Sequence, residues 1–377
     1  MLTEDKYARG ILRELYLRGA LTRKQIMANL PMRLNSLVAM SNRLEAEGFI
    51  FRTEVDRQRN VPLELHPRRF ASVGVEHGEN FAVFALLNSS AERIGMERVS
   101  LPQELGGVKR LRRIMDFMDD FIRRNSEYEV FMLGFADIGI VNTESGVGVY
   151  SAHIPDWENV PLQAELESRF RCFCRVVDRS GASALDHLRL HQDDERVRNS
   201  LQIFVGNGIG ATILQNGRYF GEDTPSSCQL GHIIVNPGGK LCHCGSHGCL
   251  ETMSSILAIV SRVSQLSNGK ISTKAKLLAA LADGNKICEA AVCEAGRVLG
   301  IAIANTVTFT GITNVYLRCE LCRASQNFLE SVREALLENV IRPFRRKVHL
   351  AVSSQEEDSA AVGAAFYTQH EFFAGEK

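Results

Sequence analysis

Residues 229–251 read QLGHIIVNPGGKLCHCGSHGCLE, and the remainder of the chain is best read outward from them. His232 is followed by Cys242, Cys244 and Cys249, one imidazole and three thiols in a short loop. Zinc takes neutral imidazole and thiolate in a closed tetrahedron, and one histidine with three cysteines is a common structural set. Gly238, Gly239, Gly245 and Gly248 give the backbone the freedom that aiming three sulfurs at one point demands. The pattern points to a zinc knuckle, structural rather than catalytic because four protein ligands leave no position open for water. The same residues also admit buried free thiols or a disulfide. His243 and His247 lie in the loop as rival ligands or as exposed polar side chains.

A chain of 377 residues exceeds one ordinary core, so two or three domains are expected. Hydrophobic residues at 45% and charged residues at 23% are globular values, which excludes disordered and fibrous classes. No apolar run approaches the ~18 residues of a membrane-spanning helix. MLTEDKYARG lacks a signal-peptide pattern, so a cytoplasmic protein without membrane association is expected. In that compartment ten cysteines read as metal ligands and buried thiols rather than as disulfides. Basic and acidic residues balance at 44 each, but unevenly. Residues 1–70 hold thirteen Lys/Arg against eight Asp/Glu, leaving +5 there and −5 on the rest. A small basic segment on a larger acidic body suggests a nucleic-acid module joined to something else.

That segment has the pattern of a DNA reader. DKYARGILRELYLR places Ile11, Leu12, Leu15 and Leu17 on a helical face, and Gly19 suits the C-cap. Thr22 is a good N-cap for TRKQIMANL, with Gln25 completing a capping box. After Pro31, Asn35 or Ser36 can open a third helix, SLVAMSNRLEAEGF, which Gly48 stops. Three short helices on tight turns fit a helix-turn-helix whose last helix enters the major groove. IFRTEV and VPLELH then alternate like the strands of a hairpin wing around the polar DRQRN. Asn35, Ser36, Ser41, Asn42 and Arg43 on the third helix, with Arg57 and Arg59 at the wing tip, are the candidate contacts to double-stranded DNA. The plainer reading is a three-helix protein-interaction module with a solvated basic face.

From Phe70 onward strands and helices alternate through VFMLGFADIG, CRVVD, SLQIFVGNGIGATIL, NVYLRC and KVHLAVSS, which predicts an α/β body with two sheet-based lobes. Gly206-Asn207-Gly208-Ile209-Gly210 follows a strand and either cradles a phosphate with backbone N–H groups or is a glycine-rich turn between adjacent strands. No GxxxxGK[ST] loop occurs.

GHIIVNPGGKLCHCGSHGCLE, together with LGIAIANTVTFTGITNVYL, AVGAAF and SGVGVYSAHIPDWENVPLQAELESRF, resembles the ROK family of bacterial repressors and sugar kinases over nearly the whole chain. The resemblance implies an N-terminal winged helix-turn-helix over 1–68, a first α/β lobe over 69–185, and a second lobe over 186–377 with the zinc knuckle. The body would be actin/hexokinase-like. An added winged helix resembles the repressor branch, whose members are typically dimers or tetramers that bind operator DNA and respond to a sugar or a partner protein.

The kinase positions of the family depart from their pattern here. The Asn-Asp pair that carries the general base aligns with Asp178-Arg179, and an arginine cannot accept a proton at neutral pH. The Asp-x-Gly-Gly-Thr phosphate loop aligns with Glu76-His77-Gly78-Glu79-Asn80, where Glu79 opposes a triphosphate. The glycine pair beside adenosine aligns with Arg318-Cys319. Among the sugar contacts the family implies, Gln229 replaces a glutamate, while His232 and Glu251 are kept. With Asp178 and Arg179 these form the candidate effector site. Arg179 there suggests an acidic or phosphorylated sugar, or an abandoned pocket filled by an internal network. The expectation is therefore a transcriptional regulator of carbohydrate metabolism, a repressor, with structural Zn2+ and no catalysis. The alternatives are a sugar kinase with a relocated base, or a regulator gated by a partner protein over a vestigial pocket.

Overall fold

The computed structural model describes residues 5–53, 61–220, 228–355 and 358–375. They form two compact units, Met1–Arg189 with Asp358–Lys377, and Leu190–Glu357. The C-terminal segment thus belongs with the first unit and not with the second lobe, where the sequence reading had placed it.

The first unit begins with helices Lys6–Arg18, Arg23–Asn29 and Leu34–Ala46. The first ends at Gly19, whose φ of 73° lies in the glycine-favoured region. The second carries the expected capping box, with Thr22 and Gln25 satisfying each other's backbone N–H groups. The third starts one or two residues earlier than expected, after Arg33 and without a side-chain cap, so Asn35 and Ser36 sit inside its first turn. Ile50–Arg52 and Leu63–Leu65 pair antiparallel as the base of the wing. Its tip, with Arg57 and Arg59, lies outside the described residues.

A five-stranded sheet follows in the order Phe173–Asp178, Val130–Asp137, Ala71–His77, Phe81–Leu87, Arg93–Ser100. The first three strands run parallel and the last two turn back antiparallel. Helix Ser359–Ala374 lies on this sheet at backbone distance, because glycines clear its path. A Cβ on Gly74 would fall 1.8 Å from the Ala361 carbonyl oxygen, and one on Gly134 2.0 Å from that of Ala364. Gly74 and Gly134 are register partners on neighbouring strands, so together they form one flat seat.

The same helix reaches the N-terminal head. Phe373 stacks on Tyr16 with ring centroids 4.5 Å apart and meets Phe70 edge-on at 5.4 Å. Ile11, Leu15, Leu37, Leu44, Phe49 and Leu63 share one apolar core with Phe70, Met132 and Phe373. The head is therefore packed into the first unit by buried aromatic surface rather than tethered by a bare linker. Each such ring removes some 150–250 Å² from water.

In the second unit the sheet order is Arg218–Tyr219, Ile209–Gln215, Ser200–Val205, Asn314–Cys319, His349–Val352. Its core is filled from the long helix Lys286–Thr310, whose Leu299, Ile303 and Val307 are buried with Phe328 and Val332 of helix Gln326–Asn339. Among the described residues no helix is long and apolar enough to cross a membrane.

Candidate metal centre and DNA-binding head

The knuckle is a set of tight turns in the second unit. His232 closes the short helical turn Leu230–His232. The Cys242 N–H donates to the Ser246 carbonyl at 2.7 Å and the Gly245 N–H to that of Cys242 at 3.0 Å, which folds the Cys-x-Cys loop on itself. The loop is pinned by a bridge between Ile234 and Cys249. Gly245 has φ 92° and Gly248 φ 72°, and a Cβ on Gly248 would overlap the Asn236 carbonyl at 1.7 Å. The turns bring Cys242 Sγ to 3.6 Å from His232 Nδ1, and Cys244 Sγ to 3.7 Å from Cys249 Sγ. All four donor atoms lie within 4.8 Å of one another, a cluster able to hold a metal ion. Cys242 and Cys249 are buried and Cys244 is exposed.

Glu251 follows immediately and opens the turn Glu251–Ser254. Its Oε2 accepts the Ile209 N–H at 2.9 Å, and its Oε1 lies 3.1 Å from His243 Nδ1. Ile209 belongs to the glycine run. Gly206 N–H donates to Gly208 O at 2.9 Å, and the flanking strands pair antiparallel, so this run is a hairpin turn. A Cβ on Gly208 would fall 2.4 Å from the Glu251 carboxylate. One N–H of the would-be phosphate cradle is thus already used, by a group that repels phosphate. Gln229 is exposed just before the Leu230–His232 turn, and its carbonyl accepts the His232 N–H.

Of the remaining kinase-like positions, Glu76–Asn80 and Asp178-Arg179 lie in the first unit and Arg318-Cys319 in the second. Arg179 opens helix Arg179–Leu190, and its Nε is 2.6 Å from Oε1 of Glu76, a fully buried carboxylate at the end of strand Ala71–His77. Neither Glu76 oxygen receives an aligned hydrogen bond from the described residues, so the contact is charge on charge. This alters the expectation drawn from Arg179. Its cation is matched by Glu76, which removes the ground for expecting an anionic sugar. Asp178 is buried, and its Oδ1 accepts the Gly181 N–H at 2.9 Å, a capping role at the start of that helix. Beside them His77 Nε2 lies 2.8 Å from Asp137 Oδ1, and Asp137 Oδ2 accepts the Trp157 indole N–H at 3.0 Å. Arg110, fully buried, donates to the carbonyls of Gly78 and Glu79 and fastens the segment that aligns with the phosphate loop. Arg318 stacks over Phe204, its guanidinium carbon 4.8 Å from the ring centroid.

On the head, Asn35, Ser36, Asn42 and Arg43 are exposed along the third helix. Ser41 is not. It is fully buried, donates to Val38 O and accepts from Arg23 Nε at 2.7 Å, because its position faces the second helix. Arg23 also donates to Asn42 Oδ1 at 2.8 Å, so this residue, which the sequence reading passed over, sets the pose of an exposed face. Arg43 is itself paired with Glu47 at 2.9 Å. His243 was legible as a rival ligand from its place between two cysteines. Glu76 carried no signal as the partner of Arg179.

Comparison with known proteins agrees with this architecture. The N-acetylglucosamine repressor of Escherichia coli O6:H1 is 28% identical over 365 residues, covering 92% of this chain and 88% of its own. A solved ROK family transcriptional regulator, described as a homolog of the E. coli MLC protein, superposes with a TM-score of 0.82 at 21% identity, covering 99% of this chain and 98% of that one. A ROK glucokinase from Streptomyces griseus, solved with glucose and AMPPNP, gives a TM-score of 0.70 at 19% identity over 80% of this chain and 99% of its own. The glucokinase thus shares the body, while the regulator also spans the N-terminal head. The sequence model described as ROK family matches residues 72–371, and the chain belongs to that family.

Proposed function

We propose that this protein is a DNA-binding transcriptional repressor of carbohydrate metabolism, and that its ROK body senses a sugar or sugar derivative without phosphorylating it. The observation that carries the reading is the pairing of Arg179 with buried Glu76. At the position where the family's kinases hold a general base, this chain has a cation engaged by a carboxylate. A group of that kind takes no proton from a sugar hydroxyl at neutral pH. The Glu251 carboxylate against Gly208 argues in the same direction for the nucleotide side. The exposed Asn35, Ser36, Asn42 and Arg43, on a helix that follows a capped helix and precedes a wing, support operator binding through the major groove. The name of the E. coli relative supports a sugar-linked role. Two heads in a homodimer or homotetramer would read a two-fold operator.

The knuckle is proposed to hold a structural zinc ion. A tetrahedron with Zn–S of about 2.3 Å and Zn–N of about 2.05 Å has edges of about 3.8 Å between sulfurs and about 3.6 Å between sulfur and nitrogen. The 3.7 Å between Cys244 and Cys249 and the 3.6 Å between Cys242 and His232 fit those edges. Bound there, zinc would tie the turn that carries Gln229 and His232 to the turn that carries Glu251.

Operator selection from a random duplex library, followed by titration with a panel of neutral and anionic sugars, tests this reading. Sequence-specific binding released by a sugar is the expected result. A coupled assay for ADP release across hexoses is the counter-test, and turnover abolished by Asp178→Asn would establish the kinase reading in its place. Specific binding that no sugar alters, with a protein partner co-purifying, would establish gating by that partner.

A further inference from the structure

The knuckle contains more donors than one tetrahedral ion uses. His232 and Cys242 also form a second group with His243 and Glu251, again with all four donor atoms within 4.8 Å. The two groups share His232 and Cys242 and differ only in how they are completed: Cys244 and Cys249 in one, His243 and Glu251 in the other. His243 Nδ1 lies 3.9 Å from Cys242 Sγ and 3.1 Å from Glu251 Oε1. These spacings are near the edges of about 3.6 and about 3.4 Å that a tetrahedral zinc with sulfur, nitrogen and oxygen ligands requires.

The two completing pairs also differ in chemistry. Cys244 is exposed, and its sulfur sits beside that of Cys249. Imidazole and carboxylate do not form disulfides. Glu251 has a free hand for a metal, since its Oε2 holds the Ile209 N–H while Oε1 faces His243.

We propose that His243 and Glu251 are a reserve half-site that keeps zinc in the knuckle when Cys244 and Cys249 are oxidised to a disulfide by a peroxide. The inference rests on the zinc reading above and not on the DNA-binding one. In the oxidation the two thiolates give up two electrons, one S–S bond forms, and the peroxide O–O bond breaks to leave two hydroxide ions. Zinc passes from a set with three thiolates to one with a single thiolate, His232 and Cys242 staying in place. The Ile209 amide remains bonded to Glu251 throughout, so the hairpin turn at Gly206–Gly208 keeps its anchor.

The test uses the full-length protein treated with hydrogen peroxide until the mass shows the loss of two hydrogens and peptide mapping places them on Cys244 and Cys249. Metal content is measured after desalting. Zinc near one equivalent in the reduced protein tests the zinc reading by itself. Zinc retained after oxidation in the parent, but lost after the same treatment in His243→Ala, is the expected result. In the cobalt-substituted protein the sulfur-to-metal charge-transfer band should fall to about a third, as three thiolates become one. The Ile209 amide should stay protected from hydrogen exchange. A second arm avoids the oxidant: Cys244→Ser/Cys249→Ser should retain zinc, and adding His243→Ala to it should lose it. Zinc released from the oxidised parent as completely as from oxidised His243→Ala would overturn the proposal. So would equal zinc content in the double and triple variants.

Discussion

Replacing Arg179 with methionine tests the ion pair on which the non-catalytic reading turns. Glu76 is fully buried, and the Arg179 guanidinium is the cation against it. Breaking a fully buried pair from one side costs about 3–5 kcal/mol, because the remaining charge has lost its compensation. The Arg179 side chain is 35% exposed, so water reaches the carboxylate once the guanidinium is gone. We therefore expect a smaller loss, about 2 kcal/mol. Glu76→Gln on its own should cost less, since it leaves a cation that can turn toward solvent. The double variant Glu76→Gln/Arg179→Met buries no charge and should lie within about 1 kcal/mol of the parent. Urea unfolding followed by tryptophan fluorescence is the assay. Trp157 is the only tryptophan, is buried, and lies with its ring centroid 4.7 Å from that of His77, next in sequence to Glu76. Its signal therefore reports on the unit that contains the pair. A double variant whose loss equals the sum of the two single losses would show that Glu76 and Arg179 are uncoupled. Arg179 would then count as an uncommitted cation, and the ground for expecting an anionic ligand beside it would return.

Three further outcomes are expected. Removing the metal with a strong chelator should lower Tm, because metal held by the folded knuckle contributes folding free energy; an unchanged melting curve would exclude a structural ion. Gly134→Ala should destabilise by about 3 kcal/mol or more, at the upper end for overpacking, since its Cβ would fall 2.0 Å from the Ala364 carbonyl and the helix under Phe373 would have to rise; differential scanning calorimetry reads this directly. Arg43→Glu should weaken operator binding while leaving Tm nearly unchanged, whereas Ser41→Ala should cost stability, through the lost partner of Arg23, and alter DNA contacts only indirectly; fluorescence anisotropy beside thermal melts separates the two effects.

Much of this architecture was legible because it rests on short-range rules. Gly19, the Thr22–Gln25 box and the alternation of VPLELH each act within a few residues, so the head could be read without its neighbours. The knuckle was legible for the same reason, with four donors and four glycines in one loop. The seat of the C-terminal helix was not. It depends on Gly74 and Gly134 meeting Ala361 and Ala364 from the far end of the chain, a contact that no local pattern encodes. Assigning AVGAAF to the second lobe followed from its position in sequence, while its small residues suit it to the first unit's sheet.

The site divides along the same line. An arginine at the base position can be seen in a sequence, but what it does there depends on a partner more than a hundred residues earlier. Considered alone, Arg179 is a free cation and suggests an anionic ligand. Beside Glu76 it is a matched pair, and that suggestion disappears. Glu251 changes meaning in the opposite direction. Taken as a retained sugar contact, it would leave the glycine run free for phosphate. In place, it holds the Ile209 amide with one oxygen and faces His243 with the other, which joins the hairpin turn to the metal knuckle. In the first unit the base position carries a cation paired with Glu76, and in the second the glycine run gives the Ile209 N–H to Glu251. Within the first unit the buried aromatic packing between Phe373 and Tyr16 gives the N-terminal helices a physical connection to the sheet.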